Sequence, residues 1–266
     1  PLIGLNSNTT IAEVNSSNDL SSFDSDGFTV GSDGGLNRSG QSIVAWCWEA
    51  GGAPTADNSA GAGNTPTAGS VKINGSNSSS SLAGTIAATR LSANTTNGFS
   101  IISYTGNGSN NSTVGHGLGA TPDWVLATAR DFPTATNWAV FHSSLTSVQT
   151  YLRLDTTDAE VTTDNSHFGS VEPTSSVMNI GYSGSTNTSG RNYIMYCWTE
   201  KTGYSKFGSY EGTGNANLSV TGLGFAPAWI IIKNADDAGG AQWMIYDNTR
   251  DTTNPISAYL QAESSN

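Results

Sequence analysis

Short apolar runs, each closed by Gly, Asn or Ser, predict a succession of strands along this chain. Gly98 to Tyr104 (GFSIISY) opens one set, and the TGNG that follows signals a turn. The GLGATP stretch then leads into WVLATA from Trp124, whose apolar run suits a sandwich interior. Trp138 to Phe141, Tyr151 to Leu154 and Val177 to Gly181 supply further strands, and the stretch ending at Glu200 (YIMYCWTE) closes the set. Six or seven strands in about 105 residues, spaced by Gly, Asn and Ser turns, is the pattern of a β-sandwich or jelly roll.

The pattern then repeats. Gly117 to Leu145 aligns without a gap on Gly222 to Arg250, 105 residues later. Pro122, Trp124 and Trp138 fall on Pro227, Trp229 and Trp243. GYSKFGSY from Gly203, followed by EGTG, echoes GFSIISY and its turn. A second element recurs at 150 residues, where IVAWCWE up to Glu49 matches YIMYCWTE up to Glu200. Phe28 to Gly31 matches Val177 to Gly181, and Tyr259-Leu260 echoes the strand from Tyr151. All seven tryptophans lie in these elements. Recurrence at equivalent places reads them as core anchors, since one Trp buries up to about 250 Å². The expected fold is therefore all-β, built of tandem jelly-roll-like β-sandwich units of about 105 residues.

The two repeat distances differ by about 45 residues, which places an insertion between Ala50 and about Thr95. Its Ala, Gly, Ser, Thr and Asn composition predicts a flexible or extended linker, although TIAATRLSA (Thr85 to Ala93) alternates and offers an edge strand. The predicted divisions are the end of one unit over 1–51, the linker over 52–96, a complete unit over 97–202 and the start of another over 203–266. Two permuted domains, 1–146 and 147–266, are the alternative. Packing of Trp48 on Trp124 would favour that alternative. The chain starts at Pro1 and stops part-way through a unit, so we expect it to be a window on a longer array, continuing past Asn266 with another Cys-Trp strand.

Composition narrows the functional classes. Gly, Ser, Thr and Asn make up almost half of the 266 residues, and charged residues only 12 %; usage of this kind depresses helix. Seven Trp, nine Tyr and eight Phe supply a core and argue against disorder. A net charge of −11, with four scattered lysines, argues against nucleic acid as a partner. No run approaches the roughly 20 apolar residues that cross a bilayer.

Candidate chemistry is sparse. Cys47 and Cys197 occupy equivalent strand positions and read as packing residues, too few for a disulfide scaffold. His116, His142 and His167 do not recur and have no nucleophile motif beside them. The Gly115-x-Gly117-x-Gly119 and Gly222-x-Gly224 loops precede a strand instead of the helix a phosphate site needs. Asp24-Ser25-Asp26-Gly27 has the flavour of a calcium loop, but nothing completes a cage, so a turn is expected; no metal or other cofactor is expected. The numerous Asn-x-Ser/Thr sequons follow from composition.

In order and wording the elements resemble a repeat domain of uncharacterised function found in virion proteins of marine bacteriophages. The resemblance rests on GFSIISYTGNG, VGHGLGATPDWVLATAR and NWAVFH, on GYSKFGSYEGTG, GFAPAWIIIK and WMIYDNTRD, and on the stretch from Ser25 to Gly52. It implies an extracellular, virion-borne part of a tail fibre, an appendage or a capsid decoration, contacting other virion proteins and copies of itself, with a trimer as the fibre-like expectation. It carries no active site. The expected function is thus structural and non-enzymatic. The alternative is a carbohydrate-binding module or host-surface adhesin, whose glycan-contacting aromatics would be Tyr104, Tyr210, Trp138 and Trp243; burial of those side chains would count against it. A glycan-cleaving enzyme would need two carboxylates across one cleft, and the acids here are scattered.

Overall fold

The computed structural model describes residues 3–59, 65–80, 82–162, 164–237 and 239–265. Among them there is no helix, and the fold is all-β. In chain order the strands are β1 (Ile3–Gly4), β2 (Val14–Asn15), β3 (Leu20–Asp24), β4 (Gly27–Val30), β5 (Val71–Ile73), β6 (Ser76–Asn77), β7 (Ala88–Asn94), β8 (Phe99–Thr105) and β9 (Ser112–Gly115). There follow β10 (Trp124–Ala129), β11 (Ala139–His142), β12 (Leu152–Arg153), β13 (Val177–Ile180), β14 (Asn192–Trp198), β15 (Trp229–Ile232), β16 (Met244–Asp247) and β17 (Leu260–Gln261).

An eight-stranded sheet, ordered β12-β11-β10-β14-β8-β7-β5-β6, forms the centre. It is antiparallel except where β5 runs parallel to β7. Across β8, β14, β10 and β11 both faces carry apolar rows, because alternate residues of each strand point to opposite sides and both sides are covered there; β7 turns Arg90, Ser92 and Asn94 to the second side. One face carries a row through six strands, Ala139, Ala127, Met195, Ile102, Leu91 and Val71, all fully buried. The β9–β13 pair and Phe168 close that face, with Val114, Met178 and Ile180 packed in the same cluster. On the opposite face lie Trp124, Leu126, Val140, Trp198 and Phe99, against Trp243 and Ile231 of the three-stranded β15-β16-β17 sheet. The molecule is thus sandwich-like, with a small sheet on each side of a large one.

The stretch expected to be a linker is built into this sheet. Within 52–96, β5, β6 and β7 extend it, and β7 is an interior strand between β8 and β5, with Leu91 and Ala93 in the core. The alternative division at 146/147 separates strands that belong together, since β14 lies between β10 and β8. Trp48 meets the rings of Phe99, Trp198 and Trp229.

Sequence repetition reappears as repeated local geometry. Trp124 lies opposite His142 as Trp229 lies opposite Asp247. Asn187 donates its backbone N–H to Ser183 and its amide to the Gly181 carbonyl; Asn37 does the same to Asp33 and Gly31. The larger assembly does not repeat: residues 41–50, the counterpart of β14, carry no strand, and 206–226, the counterpart of β8 and β9, are irregular.

Candidate functional site

A line of aromatic side chains crosses the second face of the large sheet. Antiparallel pairing puts Trp124, Trp198 and Phe99 directly opposite one another on β10, β14 and β8. Trp124 stacks on Trp198 at 4.4 Å between centroids, and Phe99 meets Trp198 at 4.9 Å, tilted by 32°. Aromatic cross-strand pairs of this kind add stability beyond the area they bury. Trp48 stands edge-on to both Trp198 and Trp229 at 5.8 Å, and Trp46 meets Trp229 at 6.3 Å.

These rings wall a cleft of about 510 Å³ between the large sheet and the β15-β16-β17 sheet. Trp46, Trp48, Trp124, Trp198 and Trp229 line it, with Ser7, Gln261 and Ser264 among its polar groups. Among the described residues no carboxylate lines the cleft. Trp46 and Trp48 are each 36 % exposed, while Trp124 and Trp198 are buried. The indole N–H groups of Trp198 and Trp229 are buried without a partner among the described residues, an uncommon condition for a polar atom. Chemically, the cleft can hold flat or apolar groups; its described lining is tryptophan, aliphatic and small residues with serine hydroxyls and one glutamine amide.

The four aromatics expected to contact glycans fall apart as a set. Tyr104 is buried on the other face, stacked on Tyr193 at 5.3 Å, and donates its hydroxyl to the Thr186 carbonyl at 2.7 Å. Burial pushes its pKa well up. Trp138 and Trp243 are buried, their indole N–H groups donated to the carbonyls of Asn6 (3.0 Å) and Arg153 (2.9 Å). These three cannot offer a face to a sugar, because alternation and the covering layers turn them inward. Of the four, Tyr210 alone is exposed. Trp46 and Trp48, expected as core anchors, line the cleft instead; their counterparts Tyr196 and Trp198 sit in a paired strand, and the distinguishing sequence signal is that no β10-like strand precedes Trp46 and Trp48.

Titratable groups elsewhere serve packing. His167 lies flat on Tyr151 at 3.7 Å between centroids, and burial pulls its pKa down to about 4 despite Asp164 at 3.7 Å. Arg153 bonds both Asp158 (2.9 Å) and the Tyr151 hydroxyl (3.0 Å). His116 is fully buried against the Thr174 carbonyl, and burial lowers its pKa. Cys197 is buried and its thiol pushed up by desolvation. Cys47, expected to pack likewise, is exposed because its strand is not formed. Asp24 and Gly27 close the β3–β4 hairpin, with Asp24 accepting from Ser22 and Thr29, each at 2.8 Å, as a turn residue does. Among the described residues no group of three or more His, Cys, Asp or Glu is placed to hold a metal ion.

A family model described as a domain of unknown function (DUF7483) matches residues 3–266. No curated protein and no solved structure matches the chain.

Proposed function

The chain belongs to the DUF7483 family, and we propose that it is a non-enzymatic structural component of a bacteriophage virion, in a tail fibre, an appendage or a capsid decoration. It acts through contacts with copies of itself and with other virion proteins. The observation that carries this reading is the uncovered apolar surface on the β3–β4 hairpin and along the segment after β14. Phe23 on β3 is 86 % exposed, and Phe28 on β4 is also exposed. Tyr204, Tyr210, Leu218 and Val220 are exposed along the segment after β14. The large sheet buries its own apolar rows, so these side chains are surplus to its core and suit packing between molecules. Low charge and abundant hydroxyl and amide groups support the same reading. Light scattering on the purified protein should show self-association that rises with concentration and weakens in a Phe23→Ser, Val220→Ser variant. Antibody labelling should mark the parent particle. A monomer at every concentration together with unlabelled particles would overturn the proposal.

One observation favours a glycan-binding reading: Trp46 and Trp48 stand half-open at the cleft, near serine hydroxyls. A sugar stacking there would quench tryptophan fluorescence, and Trp46→Ala would remove the response. A glycan array without a hit ends that reading.

A further inference from the structure

The free edge of β15 has a partner encoded elsewhere in the chain. In the large sheet, the edge of β10 away from β11 carries β14, in a register running from Trp124 opposite Trp198 to Ala129 opposite Tyr193. Advanced by 105 residues, β10 falls on β15; set back by 150, the Tyr193–Trp198 stretch falls on Ile43–Trp48. Among the described residues β15 pairs only with β16, and Ile43–Trp48 has no strand partner. Each half of the interaction is present and unused.

The two halves are in phase. Trp229 and Ile231 turn into the cleft, and so do Trp46 and Trp48. Ile230 and Cys47, one residue out of step, are both exposed. The template has the same parity, with Trp124 and Trp198 on one face and Val125 and Cys197 on the other. Period-two alternation makes such agreement a requirement of pairing, because a one-residue slip would turn every side chain to the wrong side.

We propose that Ile43–Trp48 is a strap poised to close on the free edge of β15, with Trp48 opposite Trp229, Cys47 opposite Ile230 and Trp46 opposite Ile231. Closure seals the tryptophan cleft and removes an unpaired edge, which is otherwise a template for stray association. These two segments, far apart in the chain, then reproduce the β10–β14 pairing. This goes beyond the assembly reading and does not depend on it, since the uncovered residues that carry that reading lie outside the strap and β15.

The chain's own strap is the occupant because it is already there. Trp48 is edge-on to Trp229 at 5.8 Å, and the residues after it are tied to the large sheet. Asn97 donates to the Glu49 carboxylate at 2.7 Å, Gly75 to the Gly51 carbonyl at 3.0 Å, and the Ser92 hydroxyl to the Gly52 carbonyl at 2.7 Å. That tether gives the strap a high effective concentration at β15, against which a second molecule must compete.

Ile230→Cys tests the register against the native Cys47, while Cys197 stays silent in the core. In mild oxidant the variant should form a disulfide within the monomer, between Cys47 and the thiol introduced at position 230, read by non-reducing electrophoresis and peptide mass spectrometry. It should form at least about tenfold faster than the bond in Ile231→Cys, whose side chain points to the opposite face. In the unsubstituted monomer, amides of Ile43–Trp48 should exchange at least about tenfold more slowly than those of the irregular 215–221 segment. A bond between chains, equal rates for the two variants, or exchange of Ile43–Trp48 as fast as 215–221 overturns the proposal.

Discussion

The β10-β11 and β15-β16 hairpins share a register, yet they live in different surroundings; the third strands are three residues out of step, with Arg153 facing Ala139 but Gln261 facing Met244. Ser143 donates to the Asp123 carbonyl as Asn248 donates to that of Ala228, 105 residues on. Every residue of β10 is buried, whereas β15 is half-buried or exposed throughout. The cause lies outside the meanders. β10 has β14 on its second edge and the β9–β13 pair over its second face; β15 has neither. Local sequence makes the hairpins, while distant strands decide whether a tryptophan is a core anchor or the wall of a cleft.

The sharpest way to break this comparison is to truncate equivalent anchors. Trp198→Ala removes the ring packed between Trp124 and Phe99 and should cost about 4 kcal/mol in urea denaturation. Trp229→Ala, at a half-buried cleft wall, should cost less than about 2 kcal/mol. Equal losses would mean that the second meander is as well supported as the first.

A second test targets the segment that composition disguises. Leu91→Ala in β7 should cost about 3 kcal/mol, because Leu91 is fully buried in a row of six. Leu218→Ala, exposed in the 203–228 stretch, should stay within about 0.5 kcal/mol. A small effect at Leu91 would return 52–96 to the status of a linker.

That contrast shows what was legible in the sequence. The strands of the second meander and the turns were, because tryptophan, Gly and Asn recur at fixed distances. The insertion was not, because small residues look the same in a linker and in a tightly packed sheet. At Gly51 a side chain would strike the Ala93 and Lys72 carbonyls at 2.3 and 2.6 Å, so smallness there answers to the close approach of this segment to β7 and β5. For the candidate site, recurrence marks Trp138 and Trp243 as anchors but does not show whether their faces are open; their covering layers come from residues far along the chain, Asn6 and Arg153 among them. Trp46 and Trp48 became a cleft wall through the absence of a neighbouring strand, which no local pattern records.

Acid should separate the two regions. All three histidines lie between β9 and β13, and the counterparts of His116 and His142, at 221 and 247, are Thr and Asp. Burial holds His167 at about 4, with Arg153 adding to the effect and Asp164 opposing it. Folded His167 therefore stays neutral below pH 6.5, where the unfolded chain takes up the proton. Stability is full above pH 6.5 and falls as pH drops towards 4, by about 3 kcal/mol from this residue. His116 and His142, also depressed by burial, act in the same direction. Asp247 and Asp251 are held below the usual carboxylate range and stay charged across that window. Denaturation at pH 4.5 and 7 should show the loss, and His167→Gln should remove most of the slope. An unchanged slope would place the acid sensitivity elsewhere.

The smallest effect isolates space from backbone. Gly98 and Gly203 are repeat counterparts with φ of +72° and +76°, a region where any L side chain is strained. A methyl at Gly98 would also meet the Thr199 carbonyl at 2.5 Å, whereas at Gly203 no described atom lies within 4 Å. Gly203→Ala should therefore cost about 1 kcal/mol from the backbone alone. Gly98→Ala should cost about 2 kcal/mol, since β8 and the end of β14 must part to admit the methyl. Thermal unfolding of the two variants measures the difference directly. If the two costs are equal, the junction between β8 and β14 is looser than the structure places it, and the contrast between the complete and the open half of the molecule weakens at the point where the two sequences are most alike.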